Sequence, residues 1–292
     1  MKKILSVLSC CVLFISFTRA QSIRSIQNSA GWTPGGMYYE LYSRATGDSA
    51  KPGNFLKLRT TQKLNDSIIY DPAKMIIPAY QPVAEPVPYD FSELWQKLKS
   101  GDSLYVVQLM DTFILRSPDL VLSNYKKGDS IKSYIKVLEI FSNDSIAKID
   151  YEKQKERQLQ KEMAVITAYL GQQNIKTTRT ASGAFVQVIT EGTGSKIDSG
   201  SVVYLMYKGM TLDGVVFDSN MDDSFGHTEP LELTAGIGNY IKGFEEGLAM
   251  LREGSVANIY IPSMLGYAER PLPSIEPYTN LLYEVRIQKV TK

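Results

Sequence analysis

The sequence predicts an α+β protein in which one long helix joins two related β-rich domains. Residues 36–72 resemble residues 183–219 without a gap, so the two copies lie 147 positions apart. Both copies consist of apolar strands interrupted at Gly and Asp, which is typical of antiparallel β structure. Between them, residues 143–170 contain neither Pro nor Gly and therefore favour an uninterrupted helix.

Residues 1–20 have the pattern of a secretory signal peptide. Lys2 and Lys3 precede an apolar run from Ile4 to Phe17, and a small residue, Ala20, ends the segment. We expect cleavage after Ala20 and a periplasmic location. A lipoprotein would be anchored through Cys10, but the apolar stretch before that residue is about half as long as such signals need, so we expect no lipid anchor.

Composition excludes several classes of function. Cys10 and Cys11 are the only cysteines, so the mature chain would contain no disulfide, thiolate nucleophile or cysteine metal ligand. The single histidine, His227, lies in a predicted loop where a solvated side chain is usual, and we expect neither a metal site nor a cofactor. Outside the signal peptide, 29 basic and 31 acidic residues remain, which gives no basic surface for nucleic acid.

The first copy lies in a predicted domain of residues 21–142. A second pair of segments, 91–109 and 244–262, matches at an offset of 153, and each contains a short helix, a Gly turn and an alternating strand. Residues 130–141 and 279–290 then resemble each other as closing strands. At the offset of 147, seven positions are identical: Gly36/Gly183, Thr46/Thr193, Gly47/Gly194, Gly53/Gly200, Leu58/Leu205, Asp66/Asp213 and Asp71/Asp218.

The linker of residues 143–173 is predicted to be a single helix. Asn143 or Asp144 can cap its start, and Gly171 can end it. Its first half is charged and is expected to be solvated. Its second half carries an apolar stripe that would pack on the second domain or, as the alternative, join two chains in a homodimer, because isolated charged helices are marginal. The stripe consists of Leu159, Met163, Ile166 and Leu170.

The predicted second domain, residues 174–292, contains three informative segments: "GSVVYLMYKGMTLDGVVFDSN", "IKGFEEGL" and "PSMLGYAER". In this order they resemble the FKBP-type peptidyl-prolyl cis-trans isomerase domain, and the match extends over about residues 183–290. The resemblance implies a strongly bent antiparallel sheet wrapped around one short helix. Because of the repeat, we expect the same fold in the first domain.

The resemblance also implies a pocket that accelerates rotation about X-Pro bonds, with Phe244 as its floor. The backbone N–H of Ile241 and the hydroxyl of Tyr267 would hold substrate carbonyls. Asp218 would order the edge of the pocket, and Ile275 would close its rim. The remaining residues that the resemblance places in the pocket are Tyr207, Phe217, Leu231, Tyr240 and Tyr283.

Three departures from the family pattern affect this pocket. The floor is most often Trp and is here Phe244, and a wall position that is usually aromatic is Leu231. The flap often contains Ile-Pro-Pro and is here Ile275-Glu276-Pro277. We therefore expect a roomier, less aromatic pocket that binds macrolide inhibitors weakly.

The first copy lacks part of this pattern. At the offset of 147, Thr60 stands at the position of Tyr207, and Asp71 at that of Asp218. No segment like "PSMLGYAER" follows the strand at 104–109, and the proline-rich segment 72–89 is predicted to be a long extended loop. We expect a degenerate FKBP-like repeat that holds clients, dimerises or stabilises the protein; the alternative is an unrelated small β domain.

The sequence thus predicts an FKBP-type prolyl isomerase that assists the folding of exported proteins, with proline-containing polypeptides as clients. One alternative is a non-catalytic chaperone or binding module that holds proline-containing segments. Another is a passive envelope protein built from β modules. The presence of Tyr207, Asp218 and Tyr267 together in the second domain favours the enzyme.

Overall fold

The computed structural model of the chain describes residues 27–43, 46–71, 73–116, 125–270 and 272–292. The predicted signal peptide lies outside the described residues and stays a prediction. Two antiparallel seven-stranded sheets are joined by one long helix, which confirms the predicted fold class. Among the described residues, no helix combines the length and apolar character needed to cross a membrane.

The N-terminal domain contains seven strands and two short helices. The elements are β1 (Gln27–Trp32), β2 (Tyr38–Ser43), β3 (Phe55–Leu64), β4 (Ser67–Tyr70), β5 (Ala79–Pro82), α1 (Ser92–Trp95), β6 (Ser103–Leu109), α2 (Met110–Arg116) and β7 (Ser130–Phe141). The strands follow the order β1-β2-β6-β7-β3-β4 across the sheet, and β5 pairs with β3.

The C-terminal domain repeats this topology after the connecting helix α3 (Asp144–Gln172). Its elements are β8 (Thr178–Arg179), β9 (Phe185–Thr190), β10 (Val202–Thr211), β11 (Val216–Ser219), β12 (Leu231–Thr234), α4 (Lys242–Leu248), β13 (Val256–Ile261) and β14 (Leu281–Thr291). Two 3-10 turns cover Asp223–Phe225 and Ser263–Leu265. The strands follow the order β8-β9-β13-β14-β10-β11, and β12 pairs with β10.

The strand registers confirm that the two domains are copies of one design. The β3–β7 pairing is irregular between Lys57 and Leu58, and the β10–β14 pairing is irregular between Tyr204 and Leu205, again 147 positions apart. Bulges of this kind bend and twist a strand, so both sheets curve at the same place.

The registers also pair Gln62 with Ser133 and Gly209 with Tyr283. Ser133 therefore stands where the second copy has Tyr283.

The proline-rich segment 72–89 differs from its prediction. It contains the strand β5, in which Ala79 pairs with Leu58 and Pro82 with Phe55. This strand corresponds to β12 of the second copy, which pairs with the equivalent part of β10. Proline lacks an N–H donor but is tolerated on an edge strand, and β5 lies off the main path of the sheet.

Helix α3 begins as predicted and ends slightly later. The side chain of Asn143 caps its start by accepting a hydrogen bond from the N–H of Ile146 at 3.1 Å. The helix continues through Gly171, and Asn174 then adopts a left-handed conformation with φ of 54°. Asn tolerates this conformation well enough to take the place that Gly often has after a helix.

Helix α3 packs against both domains. Most of its first half is exposed, as expected, but one side of it contacts the N-terminal domain. In the first half, Asp150 lies 2.6 Å from the Nζ of Lys57, and Tyr151 packs edge-on against Tyr80. In the second half, Met163, Ile166 and Leu170 of the predicted stripe are buried against the outer face of the C-terminal sheet, and Leu159 is partly buried there. The stripe is covered within the chain and is unavailable for the dimer contact that the sequence left open.

Candidate active site

A cavity of about 360 Å³ opens in the C-terminal domain between β10, the start of α4 and the turn that follows β13. Eight of the ten predicted site residues line it. Phe217 lies behind the wall, where it packs edge-on against Tyr283, and Ile275 is buried in the domain core. The lining residues are Tyr207, Asp218, Leu231, Asn239, Tyr240, Ile241, Phe244, Tyr267, Arg270 and Tyr283.

Aromatic rings form the base of the cavity. Phe244 is 3% exposed, Tyr283 is 6% exposed, and their ring centroids lie 4.8 Å apart. Helix α4 can hold Phe244 there because Gly243 and Gly247 face β13. A Cβ atom on either glycine would lie within 2.6 Å of an isoleucine side chain of that strand. The absence of a side chain at these two positions therefore sets how closely the helix approaches the sheet.

One edge of the cavity is a hydrogen-bonded group around Asp218. The hydroxyl of Tyr207 donates to Oδ2 of Asp218 at 2.7 Å. Burial raises the pKa of Tyr207, and this hydrogen bond raises it further, so the hydroxyl stays protonated as a donor at neutral pH. His227 also lies at this edge, with its Nε2 atom 3.2 Å from Oδ1 of Asp218. The sequence predicted only a solvated loop histidine and gave no sign of this contact.

The opposite side of the cavity presents a free backbone donor. Glu245, in the first turn of α4, accepts the N–H groups of Gly238 and Tyr240 at 3.1 and 3.0 Å. Ile241 follows in the chain, and no acceptor for its N–H lies among the residues that the structure describes. Unpaired N–H groups are rare away from water, so this donor is available for a carbonyl that enters the cavity.

Comparison with known proteins agrees with this geometry. The sequence profile described as "FKBP-type peptidyl-prolyl cis-trans isomerase" matches residues 193–288. A protein named "FK506-binding protein" from Neisseria meningitidis serogroup B is 33% identical over 109 residues, which are 37% of this chain and 96% of the relative. The chain belongs to the FKBP-type peptidyl-prolyl cis-trans isomerase family.

Other relatives match the same domain. A "Probable FKBP-type peptidyl-prolyl cis-trans isomerase FkpA" from N. meningitidis is 34% identical over 117 residues, 40% of either chain. Human "Peptidyl-prolyl cis-trans isomerase FKBP2" is 35% identical over 98 residues, 33% of this chain and 66% of the relative. The crystal structure of FkpA from Escherichia coli is 25% identical, covers 50% of this chain and 67% of its own, and has a TM-score of 0.38.

In the FKBP domain, the turn that carries Tyr267 is held in place by a residue that lies outside residues 193–288, the part matched by the family profile. It follows the 3-10 turn Ser263–Leu265, and its hydroxyl lies 3.4 Å from that of Tyr283. The buried carboxylate of Glu162 on α3 accepts hydrogen bonds from the Ser263 hydroxyl at 2.6 Å and the Met264 N–H at 2.9 Å. Helix α3 therefore fixes the turn that carries Tyr267.

Sequence reasoning did not find three residues of this site. Glu162 contacts a turn 101 residues later in the chain, and no local pattern reveals such a pairing. Asn239 and Arg270 lie in loops, where neither strand alternation nor helical spacing marks a side chain that faces a cavity. Arg270 ends the segment "PSMLGYAER", but the resemblance assigned it no role, whereas Glu162 and Asn239 lie outside the three informative segments.

The N-terminal copy has a cleft of about 310 Å³ at the equivalent place. Phe91 and Tyr70 line it, but Thr60 replaces Tyr207. Ser133 replaces Tyr283, and its hydroxyl accepts a hydrogen bond from the amide of Gln62 at 3.1 Å. Asp71, the counterpart of Asp218, accepts the N–H of Ala73 in its own turn at 2.8 Å.

Proposed function

We propose that the C-terminal domain catalyses cis–trans isomerisation of X-Pro bonds in polypeptides without forming a covalent intermediate. The observation that carries this proposal is an aromatic cavity with a free backbone donor, the N–H of Ile241, at its side. The general activity agrees with the family to which the chain belongs. The roles of individual residues are our inference.

The mechanism follows from the nature of the barrier. Amide resonance opposes rotation about an X-Pro bond with a barrier of about 18–20 kcal/mol. At the transition state the amide is twisted and less polar than the planar ground state, so a water-poor aromatic cavity binds the transition state better. The proline ring would lie on Phe244. Tyr283 and Tyr240 would exclude water around it.

Two donors would orient the substrate while the bond rotates. The Ile241 N–H would hold one carbonyl, and the Tyr267 hydroxyl would hold another. Asp218 would act through Tyr207 by fixing the position of that ring. Because burial raises the pKa of both Tyr207 and Tyr283, these hydroxyls are poor acids, and no proton transfer is needed in the reaction.

A protease-coupled isomerisation assay on the full chain tests this mechanism. Tyr267→Phe removes one neutral hydrogen bond, worth about 0.5–1.5 kcal/mol, and should lower kcat/KM by about two- to tenfold. Tyr204→Phe is the matched control, since Tyr204 lies on β10 but does not line the cavity. Absence of any acceleration by the wild-type chain would favour the binding-module alternative. A loss of several decades in a folded Tyr267→Phe variant would contradict the mechanism.

The expected affinity for inhibitors follows from the residues that line the cavity. With Phe244 as its base and Leu231 in its wall, the cavity offers less aromatic surface than the usual family pocket, and we expect weak binding of macrolides. Restoring the common residue in Phe244→Trp should tighten such binding. Isothermal titration of the wild-type chain and of Phe244→Trp with a macrolide inhibitor would measure the difference.

For the whole protein we propose a role in the folding of exported polypeptides after cleavage following Ala20. The support is the pattern of residues 1–20, which provides the features of an export signal. Fractionation of cells, followed by N-terminal sequencing of the mature protein, tests it. A cytoplasmic protein that retains Met1 would contradict this part of the proposal.

A further inference from the structure

A second cavity of about 360 Å³ lies between the two domains. The N-terminal domain, helix α3 and the loop after β13 all contribute to its wall, which is mainly apolar and aromatic. The family profile begins at residue 193, so most of this wall lies outside the part of the chain that defines the family. The residues on which the argument depends are Phe55, Tyr70, Met75, Tyr80, Tyr151 and Tyr278.

The walls of this interdomain cavity are held in place by contacts of their own. Tyr80 donates its hydroxyl to Asp150, stacks on Phe141 and packs edge-on against Tyr151. Tyr278 has a left-handed backbone with φ of 58°, and its N–H donates to the carbonyl of Ala268 at 2.7 Å. All six wall residues named above are only half-buried, so the rings border an open hollow rather than a closed core.

The interdomain cavity adjoins the isomerase cavity across a single segment of backbone. Glu269 lines the interdomain cavity, and the next residue, Arg270, lines the isomerase cavity. Consecutive Cα atoms are about 3.8 Å apart, so the two cavities meet at one loop. On its other side, the interdomain cavity shares Tyr70 and Ala79 with the cleft of the N-terminal copy.

We propose that the interdomain cavity binds an aromatic or large aliphatic side chain of the same unfolded polypeptide whose X-Pro bond occupies the isomerase cavity. This inference rests on the proposed function, since it assigns a place to the rest of that client. The continuity of the hollows favours an extended chain as the occupant. An extended chain advances at most about 3.3–3.6 Å per residue, so a side chain several residues from the proline can reach the second cavity.

Such a site would act on binding and not on the chemical step. Its contact lies away from the rotating bond and is the same in the ground state and the transition state, so it lowers KM without changing kcat. Peptides that carry a short proline core with Phe about six residues away, on either side, should show the effect. The comparison peptides carry Ser in place of that Phe, and a core-only peptide reports the basal activity.

The experiment measures Kd and KM of these peptides with the full chain. We expect the better Phe peptide to bind about tenfold more tightly than its Ser partner, a factor that corresponds to about 1.4 kcal/mol. Met75→Lys should remove this difference by placing a charge in the cavity. Ile68→Lys is the matched control, because Ile68 is an exposed residue of the same domain outside the cavity. Tyr151→Ser removes part of the wall without adding charge and should also reduce the difference.

The outcomes separate this inference from the proposed function. Equal Kd values for the Phe and Ser peptides with the wild-type chain would overturn the interdomain site, and so would a difference that survives both Met75→Lys and Tyr151→Ser. Loss of the difference in Ile68→Lys would also overturn it, because the effect would then not belong to the cavity. Failure to accelerate the core-only peptide would instead contradict the proposed isomerase, while the Kd comparison would still test the cavity.

Discussion

The two copies of the repeat share a backbone design but differ on both faces of their sheets. On the outer face of the C-terminal sheet, Phe185, Met210, Tyr260 and Leu282 pack under the second half of α3. By strand register, the N-terminal sheet has Tyr38, Lys63, Val107 and Lys132 at these positions. Lys132 pairs with Asp66 there, and Lys63 lies over the ring of Tyr134. One outer face is therefore covered by a helix and the other is solvated.

The inner faces differ in the residues that would do chemistry. Tyr207 and Tyr283 become Thr60 and Ser133, and the turn that carries Tyr267 is replaced by α2, which follows β6 directly. Asp71 is retained, but it accepts a backbone N–H instead of a tyrosine hydroxyl. Glycines, aspartates and apolar alternation thus preserve the fold, while the N-terminal copy lacks tyrosines that we propose for the site.

The difference between the outer faces predicts the largest effect. Ile166 on α3 is 0% exposed and packs in the cluster on the C-terminal sheet, so Ile166→Ala should lower the free energy of unfolding by about 2–5 kcal/mol. The neighbouring Val165 is 56% exposed, and Val165→Ala should change it by no more than about 0.5 kcal/mol. Chemical denaturation of the full chain measures both values. Similar midpoints for the two variants would show that the helix does not stabilise the isomerase domain.

The difference between the inner faces can be tested by making one copy like the other. Tyr207→Thr removes both a cavity wall and the hydrogen bond to Asp218. The lost apolar contact and hydrogen bond together are worth about 3 kcal/mol, so kcat/KM should fall by about a hundredfold. Thr60→Val in the N-terminal copy is the control and should leave the rate unchanged. A folded Tyr207→Thr chain with more than half of the wild-type rate would contradict the proposed site.

Much of the fold could be predicted because its determinants are local. Gly and Asp mark the turns, and the apolar alternation marks the strands, so the alignment at an offset of 147 predicted the same topology for both halves. The capping residue Asn143 was also found, because a cap is a local signal. Gly171 was expected to end α3, but the helix continues to Gln172, and the left-handed Asn174 follows its end.

The rest of the site depends on contacts between distant parts of the chain. Ser133 was missed because similarity between two closing strands does not set their register, and a shift of one residue reverses the face. The contact of His227 with Asp218 depends on the path of the loop before β12. The motif residues were found because the family pattern fixes their order, whereas Glu162 belongs to a helix that the pattern does not include.

Both copies retain an aspartate, Asp71 in the first and Asp218 in the second, and this pair allows a matched comparison with a smaller expected effect on activity. Asp218→Ala removes the 2.7 Å hydrogen bond of the Tyr207 hydroxyl and leaves it only the 3.4 Å contact with Nε2 of His227. This should cost about 1–2 kcal/mol or about five- to thirtyfold in kcat/KM. Asp71→Ala removes the same residue type from the N-terminal copy and should not change the rate on a short proline peptide. The same protease-coupled assay measures both variants. Equal losses would mean that Asp218 acts on the fold in general and not through Tyr207.

The smallest effect is expected from pH and from His227. The pair of His227 and Asp218 has side chains 46% and 42% exposed, so water screens it, and His227→Ala should change kcat/KM by about twofold or less.

Burial raises the pKa of Tyr207 and Tyr283 above the ordinary value of about 10. Their neutral forms are therefore favoured in the folded state, and the stability that they contribute is complete below about pH 10 and is lost only as the pH rises further. We expect kcat/KM to stay nearly constant from about pH 6 to 9, since no group required by the mechanism titrates there. Rates of the wild-type chain and His227→Ala across this range measure the effect. A bell-shaped profile that His227→Ala abolishes would show that acid–base chemistry carries the reaction, and that the difference between the two copies lies in a proton-transfer group rather than in the aromatic cavity.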